Sequence, residues 1–326
     1  MITLQEDFVG GKSVSIEEQS ALLIKKAKAS LVGISDIEDL FSLVATSYIA
    51  IESLLVEIGI SSAYNPPQDR DQVEEAFRTA TENMNLKLLT LLTAFKSYED
   101  HLPQRLVELG DSEGTIATED KTASNHAFDS SVGYKVFTGL RNHVQHSRLP
   151  LKGITFGITN QLQNRKDAAN TKSRGRHTVN PYLSVEDLLA SKKLNGKVRA
   201  ELETIAQPKI DLKWLIREFI CRFAERHYSL RQHLAPILEA SSSVYEQTYA
   251  NASKHFDYEA KHLTIVYSGE SRTHREYIKK DLGDHTRLIS ERYSSFKPVP
   301  RIFMSNEVVA SKDTFTGSDP DVWITE

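Results

Sequence analysis

The sequence predicts a mainly α fold: a helical bundle with an irregular basic insertion and a small α+β appendage at the C-terminal end. Three observations carry this. Apolar residues recur at spacings of three and four between residues 16 and 147, and again between 209 and 256. Ser15 and Ser35 stand as capping residues ahead of two of these stretches. Strand-like patterning is confined to short segments such as KGITFGIT, which alternates, and HLTIVYSG.

The elements follow in chain order. SIEEQSALLIKKAKASL has a cap and early glutamates, and predicts a helix over residues 16–32. The tract from Ser35, SDIEDLFSLVATSYIAIESLLVEIGI, is apolar around much of its circumference, as a central bundle helix is. YNPPQD reads as a loop. QVEEAFRTATENMNLKLLTLLTAFKSYEDHL reads as a long helix, with Phe77, Met84, Leu88, Leu91 and Phe95 near one face and an interruption or restart at Pro103. DSEGTIATEDKTASN is polar and reads as a loop. NHAFDSSVGYKVFTGLRNHVQHS predicts a fourth helix, with Phe128, Tyr134, Val136, Phe137 and Leu140 as core candidates.

The texture changes at residue 151. KGITFGIT predicts a strand, and the basic tract to Tyr182 reads as irregular. SVEDLLASKKL and NGKVRAELETIA predict short helices, and residues 209–256 a very long one with a kink before Pro236, whose apolar side is Trp214, Leu215, Ile216, Phe219 and Phe223. HLTIVYSG and RIFMSNEVV read as strands, and SDPDVWITE as an acidic tail. The expected organisation is a helical domain over 1–256, with the insertion at 151–208, and an appendage over 257–326.

Composition narrows the function classes. The 326 residues are 40% apolar and 26% charged, with a formal charge of -4 from 40 basic and 44 acidic side chains. Any polyanion site must therefore arise from local clustering. The single cysteine, Cys221, excludes an intramolecular disulfide and a cysteine-based zinc site, and its apolar neighbours predict a buried inert thiol. No apolar run approaches the roughly 20 residues that span a bilayer, and the N-terminus lacks the basic start and apolar block of a signal peptide. The expected compartment is cytoplasmic. No P-loop, HExxH, Gly-x-Ser-x-Gly elbow or dinucleotide fingerprint occurs. His227 and His233, six apart, do not share a helix face, so no metal site is expected there.

The densest group of polar chemistry is LRNHVQHSRLP, residues 140–150. Positions 141 and 146 diverge by roughly 140° on an ideal helix, whereas 142 and 146 share a face. Pro150 predicts a helix end near residue 147. Such a group suits RNA cleavage without a metal or other cofactor. His146 supplies a proton carrier near neutrality, and Arg141 supplies a planar fork for the charge that develops on phosphorus. Asn142 is placed to orient His146 or to donate to a phosphate oxygen, and His143 is a second proton carrier. The opposing reading is a helix C-terminus decorated with cations that suit its dipole. A buried motif with Arg141 paired to a carboxylate such as Asp100 or Glu99 would favour a non-catalytic helical module.

LRNHVQH resembles the Arg-x4-6-His signature, with a polar residue after the arginine, of the HEPN superfamily. It resembles in particular a set of bacterial HEPN-like proteins in which LRN…QH..LP follows a tract like LLTAFKSYEDHL. The resemblance implies a helical bundle and, in many members, a metal-independent endoribonuclease of toxin–antitoxin, phage-defence or CRISPR systems. It also implies a homodimer in which two motifs face one composite RNA cleft, and an antitoxin or defence-system partner. Arg148 stands where members modified by a nucleotidyltransferase carry a tyrosine. Other members only bind a protein or nucleotide, and that alternative stays open. Local charge suits RNA: Arg148, Lys152, Arg174 and Arg176 are candidate phosphate contacts, with Arg165, Lys166 and Lys172 between them. Tyr134, Phe137 and Tyr182 are either core residues or base-stacking residues.

Overall fold

The computed structural model describes residues 2–6, 11–65, 67–111, 113–146, 149, 151–160, 174–190, 195–268, 273–296 and 308–311. For 142–146, 157–160, 174–177, 295 and 308–311 the description covers the backbone alone. The chain is mainly α. Its α-helices are α1 (Glu18–Tyr64), α2 (Arg70–Glu108), α3 (Thr115–Ser130), α4 (Val132–His146), α5 (Val185–Leu189), α6 (Gly196–Glu203), α7 (Leu212–Phe256) and α8 (Leu282–Glu291). Its strands are β1 (Ile2–Glu6), β2 (Ser13–Ser15), β3 (Gly153–Asn160), β4 (Arg174–Ser184), β5 (Lys209–Asp211), β6 (His262–Ser268), β7 (Thr273–Lys279) and β8 (Val308–Ser311).

The chain forms two compact units. The first comprises Met1–Ala45, Thr93–Ser131 and Ile220–Pro298, the second Thr46–Leu92, Val132–Phe219 and Val299–Glu326.

In the first unit, Leu31, Ile34, Phe41, Phe95, Tyr98 and Phe223 make the core. Phe223 meets Phe41, Phe95 and Tyr98 with ring centroids 5.7, 5.5 and 4.8 Å apart. An antiparallel sheet in the order β2-β1-β6-β7 joins the two ends of this unit. Leu4 lies opposite Ile265, and Leu263 opposite Ile278. All four are buried. HLTIVYSG is therefore a strand as expected, while β1, β7 and α8 are elements that sequence patterning passes over.

Two expected boundaries are absent. Ser35 does not cap a second helix, because α1 runs unbroken from Glu18 to Tyr64. Its hydroxyl instead meets Thr286 Oγ1 at 2.9 Å. At neighbouring Gly33, a Cβ would come within 2.9 Å of Leu109 Cδ2, so the glycine serves close approach rather than a break. Pro103 likewise does not divide α2. Buried Leu102 and Leu106 on either side hold both turns to the core, which outweighs one missing hydrogen bond. The helix ends instead at Gly110, with φ 93°: Asp111 N donates to Leu106 O and Gly110 N to Val107 O. This is the double bond pattern of a Schellman cap.

The polar tract after Gly110 is not a loop, for Thr115–Ser130 is helix α3. The cap comes from outside the helix. Asp111 accepts from the amides of Ile116 and Ala117 at 3.1 and 2.8 Å, which replaces the side-chain cap that Gly114 lacks. Ser131, extended at φ -130° and ψ 120°, separates α3 from α4, so the single expected fourth helix is two.

In the second unit, α4 packs on α7. Phe137 stacks on Phe219 at 3.9 Å and Tyr134 lies 5.5 Å from the same ring. Gly133 permits the approach, since a Cβ there would stand 2.7 Å from Glu218 Cβ. Met84, Leu88, Leu91, Val136, Leu140, Leu215 and Ile216 are buried as expected, whereas Phe77 and Trp214 are 36% and 48% exposed. Phe77 packs edge-on against Phe156 at 4.7 Å. Arg217 donates twice to Glu52, at 2.7 and 2.8 Å.

The basic insertion is less irregular than its composition suggests. β3 and β4 form an eight-pair antiparallel ladder from Gly153↔Tyr182 to Asn160↔Gly175. β5 and β8 pair with β4 as well. Residues 161–173, most of the expected strand 301–309 and the acidic tail lie outside the described residues. α7 continues through Pro236 to Phe256. By length and composition alone α1 is long and apolar enough to cross a membrane, which the sequence reading did not anticipate. Its buried residues, among them Ile34, Ile37, Phe41, Val44 and Tyr48, belong to the protein core.

Candidate catalytic motif and the buried polar network

α4 carries the Arg/His motif in its last turns and ends at His146. Its buried stripe is Tyr134, Val136, Phe137 and Leu140. From the centre of that stripe, a helix turning about 100° per residue sets position 141 roughly 70° away and positions 142 and 146 roughly 150–170° away. Arg141 is half-buried, in keeping with a flanking position. The side chains of Asn142, His143, His146 and Arg148 lie outside the described residues. Beyond the helix the chain is pinned again at Leu151, whose amide donates to Asn85 Oδ1 at 3.1 Å. Asn85 and Leu151 are both buried.

The two carboxylates considered as partners for Arg141 have cations of their own. Glu99 pairs with Arg226, and Asp100 pairs with Lys96 one turn earlier on α2. Lys152 Nζ lies 3.4 Å from Asp187, with both side chains about two-fifths exposed. Such a pair contributes little and leaves the lysine available to solvent. Arg174 and Arg176 occupy alternate positions of β4 and therefore one face of its sheet. Tyr134 and Phe137 are core residues, at 2% and 0% exposure, and Tyr182 is half-buried.

The first unit contains a polar constellation that sequence reading missed. His227 is fully buried and stacks on Phe41, with centroids 3.9 Å apart and planes within 5°. Its Nε2 meets Glu38 Oε2 at 3.2 Å and its Nδ1 meets the Tyr98 hydroxyl at 2.9 Å. Glu38, 1% exposed, also takes a two-pronged bond from Arg231 at 2.9 and 2.6 Å. The residue before His227, Arg226, clasps Asp120 at 2.9 and 2.6 Å and reaches Glu99.

The electrostatics of the group are consistent. Burial disfavours a charge on His227 and holds its pKa below the ordinary histidine value, against the pull of Glu38. Burial would raise the Glu38 carboxyl, but bonds from His227 and Arg231 outweigh it and the pKa is lowered. Burial pushes the Tyr98 phenol well above its usual value. The resulting arrangement is a neutral imidazole that donates through Nε2 to an ionised Glu38 and accepts from Tyr98 at Nδ1. Arg231 supplies the countercharge. Every member meets a partner inside the protein, so the network orients α1, α2, α3 and α7 within the first unit and offers no open ligand position. Among the described residues no group of three or more His, Cys, Asp or Glu is arranged to hold a metal ion. Cys221 is buried, as its apolar neighbours predict.

The sequence held one signal for this network. Arg226, His227 and Arg231 lie among Phe223, Ala224, Leu230 and Leu234, the apolar residues that set the inner face of α7. Two arginines turned toward the inner face of a long helix demand carboxylates opposite them.

No family model, curated protein or solved structure matches the chain.

Proposed function

We propose that the protein is a metal-independent endoribonuclease of HEPN type, acting as a homodimer in bacterial toxin or phage-defence chemistry. The observation that supports this reading is the course of α4. The helix continues through His146, and its pitch sets positions 142 and 146 on the side opposite the buried stripe. A histidine and an asparagine at positions opposite the buried stripe of a helix suit a role toward a ligand better than a role in that stripe's packing.

In the proposed reaction a ribose 2′-hydroxyl attacks its adjacent phosphorus. The P–O5′ bond breaks, leaving a 2′,3′-cyclic phosphate and a 5′-hydroxyl. His146 takes the 2′-hydroxyl proton, and the departing 5′-oxygen receives a proton from the second motif of the dimer. Arg141 stabilises the phosphorane oxygens and Asn142 positions His146. Arg148, Lys152, Arg174 and Arg176 contribute phosphate contacts.

The test is cleavage of mixed cellular RNA by the full chain in EDTA, with end-group analysis. Cyclic phosphate ends are expected. His146→Ala and Arg141→Ala are each expected to lower the rate by roughly 100-fold or more. Intact RNA with wild-type protein, or equal cleavage by His146→Ala, refutes the proposal.

A further inference from the structure

α1 carries more apolar surface than the chain itself covers. Fewer than half of the residues in its most apolar window are buried. In the second unit Tyr48, Ile51 and Leu55 turn into the core. Ile49, Val56 and Ile60 lie on another flank of the helix and are 41%, 42% and 48% exposed. With exposed Thr46 and Ser53 and half-buried Ala63 they form a row at steps of three and four. That is the heptad seam along which one helix packs on another. No charged residue interrupts the row.

The seam is complementary to itself. An antiparallel pairing centred between Leu54 and Leu55 sets Ile49 of one copy against Ile60 of the other, Ser53 against Val56 and Thr46 against Ala63, and each layer occurs twice. Isoleucine meets isoleucine, and every other layer contains a small side chain that lets the backbones approach. The flanking charges select the same direction. A parallel pairing brings Glu52 against Glu57 of the other copy, two carboxylates of like sign. The antiparallel pairing sets Glu57 beside Ala50 and Glu52 beside Gly59. Glu52 is also held by Arg217 at 2.7 and 2.8 Å. Tyr64, 81% exposed, continues the flank one turn beyond Ile60, and Trp214, 48% exposed, stands one turn from Arg217. Together these side chains leave apolar surface on the order of 500 Å² open, at the upper end for a monomer (roughly 300–600 Å²) and most of the roughly 800 Å² that each partner buries in a standard interface. Lipid is a poor occupant, because the other side of α1 is buried in protein and cannot be surrounded by acyl chains.

We propose that the Thr46–Ala63 seam of α1 is the surface on which a second copy of this chain docks, with the two helices antiparallel and Ile49 packed on Ile60 in two symmetric layers. The endoribonuclease reading calls for a homodimer but names no surface for it. The seam supplies one, and it stands whether or not the chain cuts RNA.

The experiment is sedimentation velocity on the full chain across a dilution series, followed by cysteine cross-linking. Wild type is expected to sediment as a dimer. Ile49→Glu/Ile60→Glu puts two carboxylates into each isoleucine layer and is expected to weaken association by about 100-fold or more. Leu86→Glu/Val107→Glu, at residues equally exposed but off the seam, is expected to leave the dimer intact. Circular dichroism checks that each variant is folded. Direction is read with Ile49→Cys and Ile60→Cys, the native Cys221 being buried. Positions 49 of the two copies stand roughly 16 Å apart along an antiparallel pair, beyond the ~7 Å that a disulfide spans between Cα atoms. Neither cysteine variant should therefore link to itself on oxidation, whereas an equal mixture of the two should give the covalent dimer. A monomeric wild type, a glutamate variant that still dimerises, a control that dissociates as well, or self-linking by either single cysteine overturns the proposal. So does sedimentation of wild type with phosphatidylcholine vesicles that the glutamate pair abolishes. The two readings fail separately. A dimer that leaves RNA uncut removes the nuclease and keeps the seam. A monomer that cuts RNA to cyclic phosphate ends removes the seam and keeps the cleavage.

Discussion

Replacing Arg226 by methionine should cost the protein far more than replacing Arg226 and Asp120 together by apolar residues. Arg226 is 5% exposed at its side chain and Asp120 is 8% exposed. The substitution strips two charge-assisted bonds from Asp120, at 2.9 and 2.6 Å, and one from Glu99. Each bond to a charged group contributes about 1.5–3 kcal/mol. Glu99, 25% exposed, recovers its share from water, but Asp120 cannot. The expected loss is about 3–5 kcal/mol, the scale for an uncompensated buried charge. In Arg226→Met/Asp120→Leu no buried charge is stranded, and the loss should fall to about 1–2 kcal/mol, since well-packed apolar replacements of a buried pair come close to neutral. Urea denaturation of wild type, both single variants and the double variant closes the cycle. A loss below about 1 kcal/mol for Arg226→Met, or a double variant as unstable as the sum of the singles, would refute the reasoning. Either result means that water reaches Asp120.

Three further outcomes follow from the same structure. The His227 pKa is held below its ordinary 6.5, so below that pH the unfolded chain takes up a proton that the native imidazole resists. Stability should be full above pH 6.5 and decline as the pH falls toward the folded value; Glu38, also depressed, adds a loss that sets in below its ordinary 4.5. Urea midpoints between pH 7.5 and 4 measure this, and His227→Gln should flatten the upper part of the decline; an unchanged slope would point to other groups. Gly133→Ala brings a Cβ within 2.7 Å of Glu218 Cβ and 3.0 Å of Leu215 O. It should destabilise by about 1–3 kcal/mol despite alanine's better helix propensity, and a stabilised variant in thermal melting would show that α4 and α7 yield easily. Asp111→Ala removes both capping bonds of α3 and should cost about 1 kcal/mol, with Asp111→Asn recovering part of it. A circular dichroism melt identical to wild type would discount that cap.

Sequence periodicity by itself determined that this chain is mainly helical, where its long apolar stripes lie, and that Met84, Leu88, Phe137, Leu140, Phe219 and Phe223 are core. Those properties are local, because a repeat of three and four forces one face inward whatever it meets. The same reasoning made the Arg/His motif visible, and helix pitch alone sets positions 142 and 146 on one side of α4. Only the tertiary structure decided where helices stop and which polar groups are structural. Ser35 has the signature of a cap, yet Thr286, 251 residues away, takes its hydroxyl and the helix runs on. Asp120 sits in a tract polar enough to read as loop, but its carboxylate is the counterion of Arg226 on another helix. β1 has too few residues to announce itself and exists because β6 offers it a ladder. In each case the deciding energy is a hydrogen bond or ion pair between residues remote in sequence, to which the local pattern of apolar and polar residues is blind.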